Sequence, residues 1–482
     1  MARVLHLLLG RCICPNDVTK LESIPLQERN QALADKPNVR DLLDESACPH
    51  NTPKKTACNA PKPGATTGGC AFEGAQISLF PFADAAHLVH GPITCLGASW
   101  ETRATATSFA GRDLTQVGFT TDTSTKDVVF GGEEKLLRAI AYIMERYAPQ
   151  AVFVYSTCVT GLIGDDIDAV CKHAGKKHGV PMVPVHAPGF VGSKNLGSRL
   201  GGEAVLRHLI GTAEPKKTTD FDINLIGDYN VTGDMWQYTP LLEELGIRVL
   251  STLSGDGRVA HIRTAHRARL NVIVCAKSLI SLTRQMEERY GIPSISLSFY
   301  GKRDTSAGLL AISEALGDAD LIERTKKLIA REEAKLEAQL APYRKLFAGK
   351  KAVLNTGGNK SWSIASALQD LGIEVVATAV KKATEADRAK AGEYLGENGV
   401  LMMNPGAEQA KLIEERGADL LLAGGRSLYT ATKKGIAFAD VNQEKKKSYG
   451  GYAGLLNLAE DLKNALENPV FKIAGRRAPW QK

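Results

Sequence analysis

The 482-residue chain has no apolar run of about eighteen residues, so it contains no candidate transmembrane helix. Its first ten residues are apolar but short, are interrupted by His6, and lack a small-residue cleavage site; no signal peptide is expected. There is also no basic stripe interleaved with aromatics. The formal charge of +7 lies partly in short runs, Lys445-Lys446-Lys447 and Arg476-Arg477, which read as solvated faces. Nucleic acid and membrane are therefore not expected partners, whereas an acidic protein surface is compatible with the charge. Cysteine is sparse. Nine residues, an odd number without the close spacing of a disulfide framework, point to metal or thiol chemistry in a cytoplasmic protein.

The rest of the composition is ordinary for a globular chain, 44% hydrophobic and 23% charged, and the length predicts several domains. Residues 1–47 read as an N-terminal extension, polar from Pro15 onward. Its Cys12 and Cys14 form a Cys-X-Cys pair, readable as metal ligands or as thiols of an unpaired tail. The Pro-, Lys- and Gly-rich stretch that follows carries Cys48 and Cys58, either surface ligands or exposed loop thiols. Beyond it, strand and helix patterns alternate. Strands are predicted over Ala151–Tyr155, Phe221–Ile226, Arg248–Leu250, Asn271–Cys275, Ala352–Leu354, Glu374–Thr378 and Leu420–Ala423. Helices are predicted over Asp165–His178, Trp236–Leu245, Ser278–Tyr290 and Ser361–Leu371, with a long charged helix, Leu316–Leu346, as a spacer. This alternation predicts an α/β fold of three Rossmann-like, doubly wound parallel-sheet domains around a metallocluster site. They are 48–215, 216–345 and 346–482, the last including a C-terminal tail.

Cys70, Cys95 and Cys158 carry the most information. Each closes a strand-like or Gly/Pro-rich stretch: Gly68-Gly69-Cys70, His90-Gly91-Pro92-Ile93-Thr94-Cys95, and the apolar run Ala151 to Cys158. Thiolates are soft ligands and hold iron–sulfur clusters. Three are one short of a four-thiolate set, which suggests a cluster at a subunit boundary with the remaining ligand on a partner. Against this stands the packing of free cysteine as a small hydrophobe. The open backbone before Cys70 and Cys95 favours ligation. In doubly wound sheets ligands gather at the carboxyl ends of strands, where Cys158, Cys275, Gly357-Gly358-Asn359-Lys360 and Gly424-Gly425-Arg426 fall. The glycine pairs suit either anion binding at a helix start or a tight bend.

These residues belong to a longer ordered set of stretches. It runs through Lys62–Cys70, Val89–Cys95, Val152–Cys158, Ile163–Cys171, Lys194–Arg199, Thr356-Gly357-Gly358, Ala423–Arg426, Asp440–Gln443 and Ala478-Pro479-Trp480. In this set the chain resembles the nitrogenase component 1 superfamily, and within it the subunits that build the iron–molybdenum cofactor. The resemblance covers about Leu42 to Trp480. It implies that Cys70, Cys95 and Cys158 hold an iron–sulfur cluster at the interface with a NifN-like partner subunit, in a two-plus-two heterotetramer. It implies that Cys275 is the thiolate holding the iron–molybdenum cofactor or its eight-iron precursor, and that Cys58 holds a cluster transiently. Lys194, Ser198, Gly357, Gly358, Lys360, Asn442 and Arg103 fall in the cofactor-binding set, with Lys360 and Arg103 as candidates for homocitrate or the anionic cluster. Cys171 reads as a packed helix residue.

The departures from the catalytic members are informative. Asn442 stands where they carry a histidine ligand, Ser198 where they carry a histidine beside the substrate, and Lys360 where they carry an arginine. Lysine is a movable point charge, whereas arginine clamps anions bidentately. Fewer ligands should hold a cofactor more loosely, as a carrier requires. The expected function is a scaffold that receives the precursor from a donor and matures it with the nitrogenase iron protein. It then passes the cofactor to apo-nitrogenase. The alternative is a catalytic α-like subunit of a nitrogenase-like reductase acting on another substrate, such as a sulfur compound. A chlorophyll-pathway reductase is disfavoured because it needs no thiolate at the Cys275 position.

Overall fold

A computed structural model describes residues 69–100, 105–274, 276–381, 383–395, 398–442 and 444–474. The extension 1–47, with Cys12 and Cys14, lies outside the described residues, as do Cys48, Cys58, Arg103 and Cys275. The described residues fall into two compact units. One holds those within Met1–Thr102 and Phe109–Thr212, the other those within Arg103–Ser108 and Ala213–Lys482.

The first unit is built on a sheet of β1 (Ala85–His90), β2 (Phe119–Thr120), β3 (Ala151–Ser156) and β4 (Met182–Val185), ordered β2-β1-β3-β4. Every pairing is parallel. All residues of β1 and β3 are buried, as expected of strands covered by helices on both faces. Strand β1 was not legible because it contains two histidines, normally surface residues. His87 is accommodated as a neutral ring: its Nδ1 lies 2.8 Å from the Tyr155 hydroxyl, and it stacks on Phe153. Burial pushes its pKa down to about 3, opposed by the Phe82 carbonyl.

The second unit holds two parallel sheets. One contains β5 (Asp222–Ile226), β6 (Arg248–Leu253), β7 (Leu270–Ile273) and β8 (Ser294–Ser296), ordered β6-β5-β7-β8. The other contains β9 (Lys351–Asn355), β10 (Glu374–Ala379), β11 (Val400–Met402), β12 (Leu420–Ala423) and β13 (Ala437–Asp440), ordered β11-β10-β9-β12-β13. One apolar cluster joins them, running from Leu225 and Val272 to Leu354 and Leu420.

Two expectations are corrected here. The long charged segment is not a spacer. It is one helix, Ala319–Phe347, parted from the preceding helix Lys302–Leu316 by Gly317 at φ +75° and by Asp318, whose carboxylate caps Leu321 N at 2.7 Å. The Ala319–Phe347 helix buries Leu321, Leu328, Leu336, Leu340 and Phe347 in the shared core, each contributing about 1.5–3 kcal/mol of gross burial. Most of its charges face solvent, while Glu337 pairs with Lys302 of the neighbouring helix at 2.7 Å. The Lys445–Lys447 run is a solvated face only in part: Lys446 is exposed and Lys447 pairs with Glu460 at the surface, but the Lys445 side chain is wholly buried against Asp234. A third difference is local. The single helix expected over Trp236–Leu245 is a short turn, Met235–Gln237, followed by Thr239–Glu244, because Pro240 suits only a helix start.

Candidate functional site

In each sheet the strand order reverses at one place: between β1 and β3, β5 and β7, and β9 and β12. Crevices at the carboxyl ends there are the natural ligand positions of doubly wound folds. Cys95 follows β1 and Cys158 follows β3, so the first crevice is a thiol crevice. Cys158 opens the helix Cys158–Ile163, and Cys95 lies in the first turn of Ile93–Trp100. The two turns are tied through the His90 carbonyl, which accepts from the Thr157 and Thr160 hydroxyls at 3.1 and 2.8 Å. Gly91 is required at this closure: a Cβ there would lie 2.1 Å from Thr157 Oγ1.

Cys70 arrives from a different element, as the cap of the helix Ala71–Leu79, and bridges to Ser193. Gly189 brings the set together. A Cβ on it would sit 3.0 Å from Cys158 Sγ and 3.1 Å from Cys70 Sγ, so the two sulfurs flank one bare backbone position. All three cysteines are half-buried and free. Burial, and then the charges of Cys158 and Cys70, push the Cys95 thiol up to about 11. A bound metal would offset that mutual repulsion. No three His, Cys, Asp or Glu among the described residues converge on a point where a single metal ion would sit. A cluster presents several irons and does not ask its thiolates to meet at one. An all-thiol donor set with room left by Gly189 therefore fits an iron–sulfur cluster better than a mononuclear metal. Around it, Ile93, Leu162 and Phe190 are large apolar side chains about half exposed. Cys171, by contrast, is packed in the unit's core, its thiol pushed up to about 12 by burial and by Asp168.

Of the remaining candidates in this unit, the Lys194 ammonium lies 2.5 Å from Glu73, in an ion pair. The Ser198 hydroxyl is buried and donates to the Gly74 carbonyl at 3.1 Å, where two helices meet through glycines.

In the second unit, the turn after β9 carries Gly357, Gly358 and Lys360. Gly358 takes φ +62°, a conformation that favours glycine, just before the helix Lys360–Asp370. The adjacent Asn359 amide donates to the carbonyl of Val274, the residue before Cys275. The turns after β7 and β9 are thus stitched together. Lys360 Nζ donates to the Val441 carbonyl at 2.9 Å and lies 5.5 Å over the Tyr300 ring. Asn442 follows β13; its backbone N–H donates to Asp440 at 2.7 Å, and its side-chain amide lies against Gly424. The turn carrying Gly358, Asn359 and Lys360 thus reaches the end of the strand leading to Cys275 through Asn359 and the residue before Asn442 through Lys360. The residues missed from sequence are Gly189 and the Asp234–Lys445 pair; neither has a local sequence signal.

The family described as nitrogenase component 1 type oxidoreductase matches residues 70–467 of the chain. The chain is 54% identical over 449 residues to the nitrogenase iron-molybdenum cofactor biosynthesis protein NifE of Nostoc sp., covering 92% of this chain and 93% of that protein. It is 49% identical over 451 residues to the protein of the same name from Klebsiella pneumoniae, covering 91% and 98%. Among solved structures it resembles nitrogenase Cp1 at pH 6.5, with a TM-score of 0.79 at 26% identity over 89% of this chain and 94% of the other.

Proposed function

Because the chain belongs to the nitrogenase component 1 type oxidoreductase family and, within it, to the NifE group, we propose that it is a scaffold subunit for building the iron–molybdenum cofactor. The observation that carries this reading is the relatedness, over more than nine-tenths of the chain, to proteins of that name. The resemblance adds that Asn442 stands where catalytic members carry a histidine ligand and Lys360 where they carry an arginine.

In this reading Cys70, Cys95 and Cys158 hold a resident iron–sulfur cluster, which supplies one-electron transfer when bound. Gly189 keeps the space open, and the exposed Ile93, Leu162 and Phe190 meet a NifN-like partner subunit that completes the ligand set in a two-plus-two heterotetramer. The precursor cluster is the substrate. The Cys275 thiolate anchors it. The Lys360 ammonium offsets its negative charge and, with Arg103, suits the carboxylates of homocitrate. Gly357 and Gly358 let the backbone approach it closely. Cys58 holds a cluster in transit. Asn442, a neutral amide, orients the substrate without fixing it, so that the nitrogenase iron protein can act on it and apo-nitrogenase can take it.

A transfer assay tests the proposal. The anaerobically purified complex is mixed with cofactor-free nitrogenase component 1, the iron protein, ATP, molybdate and homocitrate, and acetylene reduction is followed. Activation that requires this chain supports the scaffold. No activation, together with turnover of a substrate by the complex itself, would establish a nitrogenase-like reductase.

A further inference from the structure

The segment from Asp440 to Gly450 carries Asn442 and the carbonyl that holds Lys360, yet its described residues, Gln443 not among them, have almost no regular structure of their own. It leaves β13 and runs to the helix Gly451–Glu467. Its shape comes from anchors. At its start Asp440 Oδ1 accepts from Asn442 N at 2.7 Å and Glu444 N at 3.2 Å. At its end Asp234 Oδ1 accepts from Tyr449 N at 2.6 Å and Gly450 N at 3.2 Å, and Gly451 N donates to Phe299 O at 2.7 Å. Thr232 Oγ1 also donates to the Lys447 carbonyl, at 2.9 Å.

The middle is held by a charge. Lys445 turns inward, its side chain 0% exposed, and donates to Asp234, whose side chain is 4% exposed. Tyr300 OH donates to the same carboxylate at 3.3 Å, while the face of the Tyr300 ring receives Lys360. Burial alone would raise the Asp234 carboxyl. The ammonium groups of Lys445 and Lys360 outweigh it and hold the pKa below the ordinary carboxylate value. Burying such a pair is a poor way to gain stability, since apolar side chains of similar volume often do as well. Its better-attested use is to fix one arrangement out of several.

We propose that Lys445 and Asp234 are positioning residues that pin the Asp440–Gly450 segment, and that this pinning sets how long the precursor cluster is retained. The inference rests on the scaffold reading. Asn442 holds its cargo weakly, so release is governed by opening of the segment that presents Asn442 and braces Lys360. Removing Lys445 takes the direct ion-pair partner from a buried carboxylate and favours opening; neutralising both partners restores closure.

The test uses the complex with its partner subunit, loaded with precursor cluster, in wild-type, Lys445→Met, Asp234→Asn/Lys445→Met and Tyr300→Phe forms. Hydrogen exchange reads the Tyr449 and Gly450 amides, and a chelator reads the loss of cargo iron. In Lys445→Met, exchange and cargo loss should both rise by about tenfold or more, while the interface cluster keeps its iron and spectrum. The double variant should bring both back toward wild type. Should Lys445→Met fail to accumulate, Tyr300→Phe, which removes one neutral donor, should raise both by roughly two- to fivefold. Faster exchange with unchanged cargo loss, or unchanged exchange, overturns the positioning role. Parallel loss of the interface cluster assigns the pair to general stability and overturns it too. A wild-type complex that takes up no cargo refutes the scaffold reading itself, and is distinguished by that result from a failure of the clasp.

Discussion

Replacing Gly189 by alanine adds one methyl group at the point where two thiols meet. Gly189 has an ordinary negative φ, so the backbone tolerates alanine and the effect is purely steric. The new Cβ would lie 3.0 Å from Cys158 Sγ, 3.1 Å from Cys70 Sγ and 3.2 Å from Cys70 Cβ. Carbon and sulfur prefer roughly 3.5–4 Å, so each sulfur must retreat by about half an ångström. Overpacking of this kind costs about 1–3 kcal/mol in a well-packed site. Cys70 caps a helix through its own backbone, and Cys158 sits in a turn tied to His90, so neither can move freely. The unit should remain folded, because its core lies around β1 and β3 and away from this turn. The thiols, however, should no longer fit one cluster. The expected result is a large loss of iron and acid-labile sulfide from the anaerobically purified complex, comparable to that of Cys95→Ala, with the circular dichroism unchanged. Full iron content with unaltered cluster spectrum would refute the argument that Gly189 keeps the thiol crevice open.

Cys275→Ala should remove the iron of the large cluster while leaving the interface cluster's spectrum intact; an unchanged iron content would show that another residue is the anchor. Asp304 offers a stability test. Burial, and to a lesser degree the Asp370 charge, raise its pKa from 3.8 to about 7, while Tyr394 OH donates to it at 3.3 Å. The folded state therefore binds this proton more tightly than the unfolded chain does, and stability is lost as pH rises from about 4 through 7. About 2–3 kcal/mol of that loss should fall between pH 5 and 8. Asp304→Asn keeps the acceptor and removes the charge, so its stability, read from denaturant midpoints, should decline less over the same range. Equal declines would show that Asp304 is not protonated in the folded protein.

Parallel strand–helix alternation was legible in the sequence wherever a strand was a continuous apolar run, as at Ala151–Tyr155 and Leu420–Ala423, because short apolar runs bounded by turn residues favour strands buried between helices. The cysteines and glycine-rich turns were also visible, since their residue types declare their chemistry. Strands that violate the pattern were not. β1 carries His87 and His90 into the core, and only the partners supplied by other elements, Tyr155 OH and Asp165, make that tolerable. The charge of a helix was equally misleading. Ala319–Phe347 shows its ions to solvent and its leucines to the core, and composition averages over both faces. A lysine run looked solvated because burial of Lys445 depends on a carboxylate 211 residues earlier. The sequence by itself determined the kinds of group available: three soft ligands, the weak amide Asn442, and the point charge Lys360. Tertiary structure alone decided that Cys70 and Cys158 would flank Gly189, and that Asp234 would hold the segment presenting Asn442. Distance in space between residues far apart in the chain is set by the packing of whole sheets, and no local run of residues encodes it.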